Sequence, residues 1–132
     1  MESEVHRSMK AIVKRELELE RYFMVEEPVV PPRRMSWNSY RPDLLGYRSE
    51  GGIEEVVLVE CETRPSMRRL EAKNARSAWF QPHLSGQGSV RRILAVPRGT
   101  LGKVNMNVRQ AWEVWVVGSK SSLERFPVLG RG

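Results

Sequence analysis

The feature that most constrains the fold is a short apolar run that ends in acidic residues. Residues 56–59, Val-Val-Leu-Val, form a continuous hydrophobic segment, which is typical of a strand buried on both faces of a sheet. Glu60 and Glu62 follow it directly, so the strand would deliver two carboxylates from the core to the edge of the sheet. Because alternate residues of a strand point to the same face, these carboxylates would lie side by side.

The residues before this run predict an antiparallel partner strand. Residues 43–48 have the pattern of a strand entered through Pro42, and the Gly51-Gly52 pair that follows favours a hairpin turn. Asp43 begins the first strand of this hairpin and Glu60 ends the second. Pairing through a tight turn would therefore bring Asp43 to the same edge of the sheet as Glu60 and Glu62.

The remaining pattern predicts an α/β fold with a mixed central sheet flanked by helices. A helix over 5–24 is followed by a proline-rich connector over 26–41, in which Val29 and Val30 begin a short strand. After the hairpin come a helix over 66–80 and two strands over 91–96 and 111–117. The helix between two strands makes a crossover, so part of the sheet would be parallel. We expect a single domain over 1–132, with its core at about 5–117 and a loosely ordered tail over 118–132.

The first predicted helix carries an acidic residue within its apolar stripe. Its apolar residues follow helical spacing and would form the buried side: Val5, Met9, Ile12, Leu19 and Phe23. Glu16 projects into the middle of that stripe. A carboxylate in such a place is costly to bury unless something pairs with it.

The charge balance indicates an anionic partner. The chain carries a net charge of +6, and its cationic residues are 17 arginines against 5 lysines. Arginine binds phosphate through two parallel hydrogen bonds, which lysine cannot do. Nucleic acid is therefore the first candidate partner, although a GC-rich genome or a hot habitat would also enrich arginine.

Other features of the sequence concern its location. No run approaches the ~20 consecutive apolar residues of a membrane span, so we expect no membrane partner. The N-terminus lacks the apolar run of a secretory signal. The single cysteine, Cys61, excludes an intrachain disulfide and a cysteine-built zinc site. That composition fits a reducing cytoplasm, where we expect the protein to act.

The acidic residues favour a divalent cation. Like charges on one strand face repel each other, and Asp43 would lie beside Glu60 and Glu62. Mg²⁺ prefers hard oxygen ligands, usually one or two carboxylates with waters and phosphate oxygens. An ion so placed lowers the pKa of a bound water and stabilises the leaving oxygen of a phosphodiester. The alternative is a structural cluster in which the two glutamates form salt bridges with Arg41, Arg48 or Arg64.

This motif resembles that of a known superfamily. Arg-Pro-Asp43-Leu-Leu-Gly, followed by Val-Leu-Val-Glu60-Cys-Glu62-Thr, is similar to the PD-(D/E)XK nucleases, which include restriction endonucleases and archaeal Holliday junction resolvases. The similarity covers roughly residues 5–117, including the helices before and after the motif and the strand Arg-Arg-Ile-Leu-Ala-Val-Pro. It implies a restriction-endonuclease-like core.

The resemblance also implies a set of metal ligands. Asp43 and Glu60 would bind Mg²⁺ or Mn²⁺, and the backbone carbonyl of Cys61 would complete the shell. Family members often add a glutamate from the first helix, for which Glu16 is the best match and Glu20 the second. Glu62 stands where the family has a lysine that orients or activates the attacking water, and a glutamate there would act as base or second ligand.

We therefore expect a metal-dependent DNA nuclease, a hydrolase of the endonuclease type, with Asp43, Glu60 and Glu62 as catalytic residues. Lys73 could substitute for the missing lysine, and Arg64 could contact the scissile phosphate. The residues expected to bind nucleic acid are Arg33, Arg34, Arg64, Arg68, Arg69 and Lys73. A symmetric homodimer would let so small a domain cover more of a duplex. The alternative is the same fold without catalysis, which binds nucleic acid or a protein partner.

Overall fold

The computed structural model describes residues 2–28, 41–85 and 89–130, and within these ranges the strands form one six-stranded sheet. The helices and strands in chain order are α1 (Glu4–Leu19), β1 (Phe23–Glu26), β2 (Leu44–Glu50), β3 (Ile53–Cys61), α2 (Met67–Ser85), β4 (Ser89–Pro97), α3 (Met106–Arg109), β5 (Glu113–Val117) and β6 (Leu123–Phe126). None of the described helices has the length and apolar character needed to span a membrane.

The sheet is mixed, as predicted. Its strands lie side by side in the order β1-β2-β3-β4-β5-β6. β3, β4 and β5 are parallel, whereas the β1–β2, β2–β3 and β5–β6 pairs are antiparallel. α2 forms the crossover between β3 and β4. The predicted α/β class, the hairpin and the crossover helix are therefore confirmed.

β3 lies between two hydrophobic clusters, one on each face of the sheet. Val57 and Val59 pack in the cluster that contains the buried residues of α1, and Val56 and Leu58 pack in the cluster that contains Leu70 of α2. All four strand side chains are at most 5% exposed. The continuous apolar run is thus explained by burial on both faces.

The hairpin register sets the position of the acidic residues. Leu44 pairs with Val59 across β2 and β3, so Asp43 and Glu60 occupy the next position of the ladder. Beyond the end of β3, the N–H of Glu62 donates to the carbonyl of Ala95 on β4 at 2.9 Å. The end of β3 therefore lies between the beginning of β2 and the carboxyl end of β4.

The predicted first helix is too long, and its predicted buried stripe is only partly correct. α1 ends at Leu19, and Arg21 adopts a left-handed φ of 73° that breaks the helix before β1. Leu19 and Phe23, which the periodicity assigns to the buried side, are 71% and 72% exposed. Met9 is buried as predicted, and the other buried residues of α1 are Lys10, Val13 and Leu17.

Two later boundaries also differ from the prediction. α2 continues through Pro82 to Ser85, so the loss of one backbone donor at proline does not end it. The tail after residue 117, predicted to be loosely ordered, contains β6, which pairs with the otherwise open edge of β5. The short strand predicted at Val29 and Val30 lies outside the described residues.

Gly46 of β2 lies at a close approach between three strands. A Cβ at this position would lie 2.7 Å from Cγ1 of Val57 and closer still to Sδ of Met24. Gly46→Ala should therefore overpack the core on the α1 side. We expect it to lower the free energy of unfolding by about 1–3 kcal/mol, as measured by urea denaturation.

Gly102→Ala provides the matched control for this change. No atom lies within 4 Å of the position of its Cβ, and its φ is not in the left-handed region. We expect little change in unfolding free energy at this site. An equal loss from both substitutions would contradict the overpacking explanation.

Candidate functional site

Asp43 is fixed to the end of β3 by a backbone hydrogen bond. The N–H of Cys61 donates to Asp43 Oδ2 at 2.7 Å, and Asp43 Oδ1 lies 3.2 Å from Nε2 of His6 on α1. The carbonyl of Asp43 accepts a hydrogen bond from the N–H of Glu27 at 3.0 Å. One aspartate therefore connects the β2–β3 hairpin to α1 and to the end of β1.

Glu60 and Glu62 are buried beside α2. They are 4% and 5% exposed. Nζ of Lys73 lies 3.2 Å from Glu60 Oε1 and 3.7 Å from Glu62 Oε2, and Nη1 of Arg69 lies 3.1 Å from Glu62 Oε1. Two cations of one helix therefore offset two carboxylates of one strand.

Lys73 interacts electrostatically with all three acidic residues. Burial alone would lower the pKa of its ammonium group, but the charges of Glu60, Asp43 and Glu62 outweigh burial and raise that pKa above its ordinary value. The side chain of Lys73 is 28% exposed and contacts both glutamates. It is charged at neutral pH.

Arg48, one of the cations that the salt-bridge alternative assigns to the acidic pair, lies elsewhere. Its guanidinium forms an ion pair with Glu55 and lies 4.3 Å over the ring of Tyr22. Arg69 and Lys73 of α2 form ion pairs with Glu60 and Glu62, and Arg41, another cation of that alternative, lines a cavity with the two glutamates.

Cys61 lies between the two glutamates in sequence, but its side chain is buried in the cluster on the α1 side. Burial raises the pKa of the thiol well above its ordinary value, and the charges of Asp43 and Glu60 raise it further. The thiol is therefore protonated at neutral pH and packs as a small apolar side chain.

A second polar cluster, which the sequence analysis missed, joins α1 to the site. Oε2 of Glu2 lies 2.8 Å from Nδ1 of His6 and 2.6 Å from Nζ of Lys10. Nζ of Lys10 also lies 3.4 Å from Oε2 of Glu27. Burial would lower the pKa of Lys10, but its hydrogen bond to Glu2 and the charges of Glu2 and Glu27 raise it overall. The spacing of Glu2, His6 and Lys10, four residues apart, is the sequence signal for this cluster.

Two cavities adjoin the acidic pair. The first, termed the basic cavity, has a volume of about 270 Å³, and its cationic lining beyond Lys73 is Arg41, Arg69 and Arg76. The second, termed the acidic cavity, has a volume of about 380 Å³ and lies against Glu2, His6, Glu27 and the end of β3. Glu62, Arg69 and Lys73 line both cavities.

Glu16 lies away from this cluster. Its Oε2 is 3.5 Å from Nη2 of Arg125 on β6. Glu16 follows His6 by ten residues of α1, which is about 15 Å along the helix axis. Glu16 is therefore half-buried and not beside Asp43, whereas Glu2, which precedes α1, contacts the same histidine as Asp43.

The basic residues predicted to bind nucleic acid are distributed unevenly. Arg69 and Lys73 line both cavities. Arg64 and Arg68 are exposed, just after β3 and in the first turn of α2. The arginines at positions 33 and 34 lie outside the described residues.

The donor set limits what metal site is feasible. Within residues 2–28, 41–85 and 89–130, no three His, Cys, Asp or Glu side chains form a group that could hold a metal ion. Any ion at the end of β3 would therefore have at most two of these side chains as ligands. Backbone carbonyl, water or phosphate oxygens would supply the other ligands. Mg²⁺ sites commonly have this composition.

Comparison with known proteins identifies similar folds. No protein-family model and no curated protein matches the chain. An XisH family protein from Nostoc punctiforme PCC 73102 has a TM-score of 0.53 and 13% identity, with 88% of this chain and 95% of that chain covered. An fdxN element excision controlling factor protein from Anabaena variabilis has a TM-score of 0.53 and 11% identity, with 89% and 97% covered. At these identities the likeness concerns the fold.

The burial of Cys61 generates a direct test. We expect the folded protein to resist a thiol reagent at pH 8, because thiolate is the reactive form and burial disfavours it. Unfolding in guanidinium chloride should then release one reactive thiol per chain, since the sequence contains one cysteine. Rapid labelling of the folded protein at pH 8 would contradict the buried, protonated thiol.

Proposed function

We propose that the protein is a metal-dependent nuclease that hydrolyses DNA phosphodiester bonds. The observation that supports this most is the convergence of Asp43, Glu60 and Glu62 on Lys73 at the end of β3. The PD-(D/E)XK motif that the sequence resembles combines two acidic residues with a lysine. Here Glu62 occupies the lysine position, and Lys73 brings an ammonium group to the same place from α2.

The oxygen atoms at this strand end suit Mg²⁺ or Mn²⁺. Asp43, Glu60 and the backbone carbonyl of Cys61 would hold the ion, and two carboxylates are within the number that a Mg²⁺ site usually takes. Such an ion supplies an activated water and offsets negative charge on the phosphodiester.

Glu62 would accept the proton of the attacking water, and Lys73 would stabilise negative charge during the reaction. Glu62 borders both cavities, so its carboxylate is placed to accept a proton from the attacking water. Lys73 keeps its proton because the surrounding carboxylates raise its pKa. Its ammonium group would orient the water or a phosphate oxygen through a charge-assisted hydrogen bond.

The basic cavity suits the phosphate of the substrate. Arg41, Arg69 and Arg76 line it next to Glu60 and Glu62, and planar guanidinium groups bind phosphate through paired hydrogen bonds. The exposed Arg64 and Arg68 would extend this contact to flanking phosphates, and a homodimer would extend it further along a duplex.

The comparisons add support of a general kind. One structural neighbour is named for control of the excision of the fdxN element. A name that concerns excision of a genetic element agrees with DNA as the partner proposed for this chain. The net charge of +6 agrees with the same partner.

A second candidate function is a catalytically inactive module that binds nucleic acid or a protein partner. The ion pairs of Lys73 with Glu60 and Glu62, and of Arg69 with Glu62, favour it. These cations satisfy the carboxylates without an ion. Metal response and cleavage separate the two candidates, and DNA binding separates them only if the partner of the inactive module is a protein.

Substitution of the acidic residues and of Lys73 tests catalysis. Asp43→Asn, Glu60→Gln and Lys73→Met should each reduce cleavage of plasmid or branched DNA in Mg²⁺ or Mn²⁺ by at least about 100-fold, the usual effect of removing a group that stabilises charge in the transition state. DNA affinity of the two acidic-residue variants should stay nearly unchanged. Cleavage is measured on gels and affinity by fluorescence anisotropy.

Lys103→Met is the matched control for Lys73→Met, because Lys103 is exposed in a 3₁₀ turn outside both cavities. It should retain full cleavage. If the wild-type chain cleaves no DNA and neither ion raises its melting temperature, the enzyme proposal fails and the binding module remains. A parallel loss of folding in the variants would show up in their thermal melts.

Salt dependence tests the assignment of phosphate contacts. DNA affinity should fall linearly with the logarithm of salt concentration, and Arg41→Ala and Arg76→Ala should each reduce that slope by about 0.9. Arg15→Ala, an exposed position on α1 outside both cavities, should leave the slope unchanged. A flat salt response of the wild-type chain would count against nucleic acid as the partner.

A further inference from the structure

A third cavity borders the first turns of α1 and the carboxyl ends of β4 and β5. Its volume is about 480 Å³, within the range of ligand-binding cavities. His6 in the first turn of α1 and Glu2 just before the helix line the acidic cavity. Both cavities therefore lie along the edge of the sheet where the parallel strands end.

The lining of this third cavity combines an apolar floor with a polar rim. The floor includes Met9 and Val117, which are 2% and 6% exposed. The rim includes Glu4, Ser8 and Arg98, all exposed. Val5, an apolar side chain at 54% exposure, also lines the cavity, and the proposed reaction uses none of these groups.

We propose that the third cavity binds one unpaired nucleotide of the DNA strand that passes the acidic site. The proposal rests on the proposed function, because it requires DNA at the end of β3. It adds a substrate class: DNA with an unpaired nucleotide, such as a bulge, a gap or a branch point.

The chemistry of the lining matches the parts of a nucleotide. The flat faces of a base are apolar and fit the floor, whereas the guanidinium of Arg98 suits a phosphate oxygen. The carboxylate of Glu4 can accept a hydrogen bond from an exocyclic amino group, such as N4 of cytosine. A base inside a duplex is stacked and paired, and extracting it costs a few kcal/mol, which an unpaired base does not require.

The position of the cavity fits a strand that crosses the ends of the parallel strands. β4 lies between β3 and β5, and adjacent strands are about 4.8 Å apart, so the end of β5 is about 10 Å from the end of β3. The third cavity lies on the α1 face of the sheet, whereas Glu60 and Glu62 face α2. A DNA strand would therefore reach both by passing over the ends of β3, β4 and β5.

Binding without cleavage tests this proposal. Two labelled DNA duplexes, identical except for one unpaired cytidine in one of them, are titrated with the protein in EDTA, and anisotropy is recorded. We expect wild-type protein to bind the bulged duplex about tenfold more tightly. Ser8→Trp, which fills the cavity, should bring the ratio of the two affinities to about one and leave affinity for the paired duplex unchanged.

Ser49→Trp is the matched control, because Ser49 is exposed at the hairpin end of β2, away from the strand ends that line the cavity. It should keep the tenfold ratio. A wild-type ratio of one, or a ratio that survives Ser8→Trp, overturns the cavity proposal while DNA binding itself stands. Failure to bind either duplex instead overturns the proposed function. Competition by free dCMP at equal affinity would assign the cavity to a free nucleotide and overturn the strand-bound version.

Discussion

Asp43, Glu60 and Glu62, together termed the acidic edge, depend on the hydrogen bond from the N–H of Cys61 to the carboxylate of Asp43. It ties the beginning of β2 to the end of β3 at the point where regular pairing between these strands stops. On its other side, β3 pairs with β4 from Glu55 to Cys61, and the N–H of Glu62 continues this contact to Ala95. Strand alternation then sends Cys61 to one face and both glutamates to the other. The positions of the carboxylates therefore follow from the backbone.

Charge at this edge is balanced from both faces of the sheet. Lys73 reaches Glu60 and Glu62 from α2, and Lys10 reaches Glu2 from α1. Lysines are rarely buried, and their burial is tolerated where a carboxylate keeps them charged. Removal of one partner would leave an uncompensated charge, so the acidic residues and the two lysines stabilise each other. A cluster arranged in this way is preorganised, since its charged groups are held in place before any ligand arrives.

The sequence predicted the parts of this arrangement that depend on local periodicity. We predicted the fold class from the apolar run of β3 and from the crossover helix. The glycine turn predicted that Asp43 lies beside Glu60 at one edge of the sheet. The sequence did not predict β1, because Phe23 continues the helical spacing of α1 while the left-handed Arg21 ends that helix. It also missed the burial of Lys10, because one of its partners, Glu27, lies beyond the end of β1. The hydrophobic periodicity of one helix or strand does not predict its contacts with elements that are distant in the chain.

The order of strands in the sheet, identical to their order in the chain, has a consequence for biosynthesis. Each strand that leaves the ribosome can add to the one made just before it, without waiting for a distant segment. Low sequence separation between partners favours rapid folding, and domains form progressively during synthesis. All residues of the acidic edge precede β4, so its components are already synthesised while the last third of the chain is still being translated.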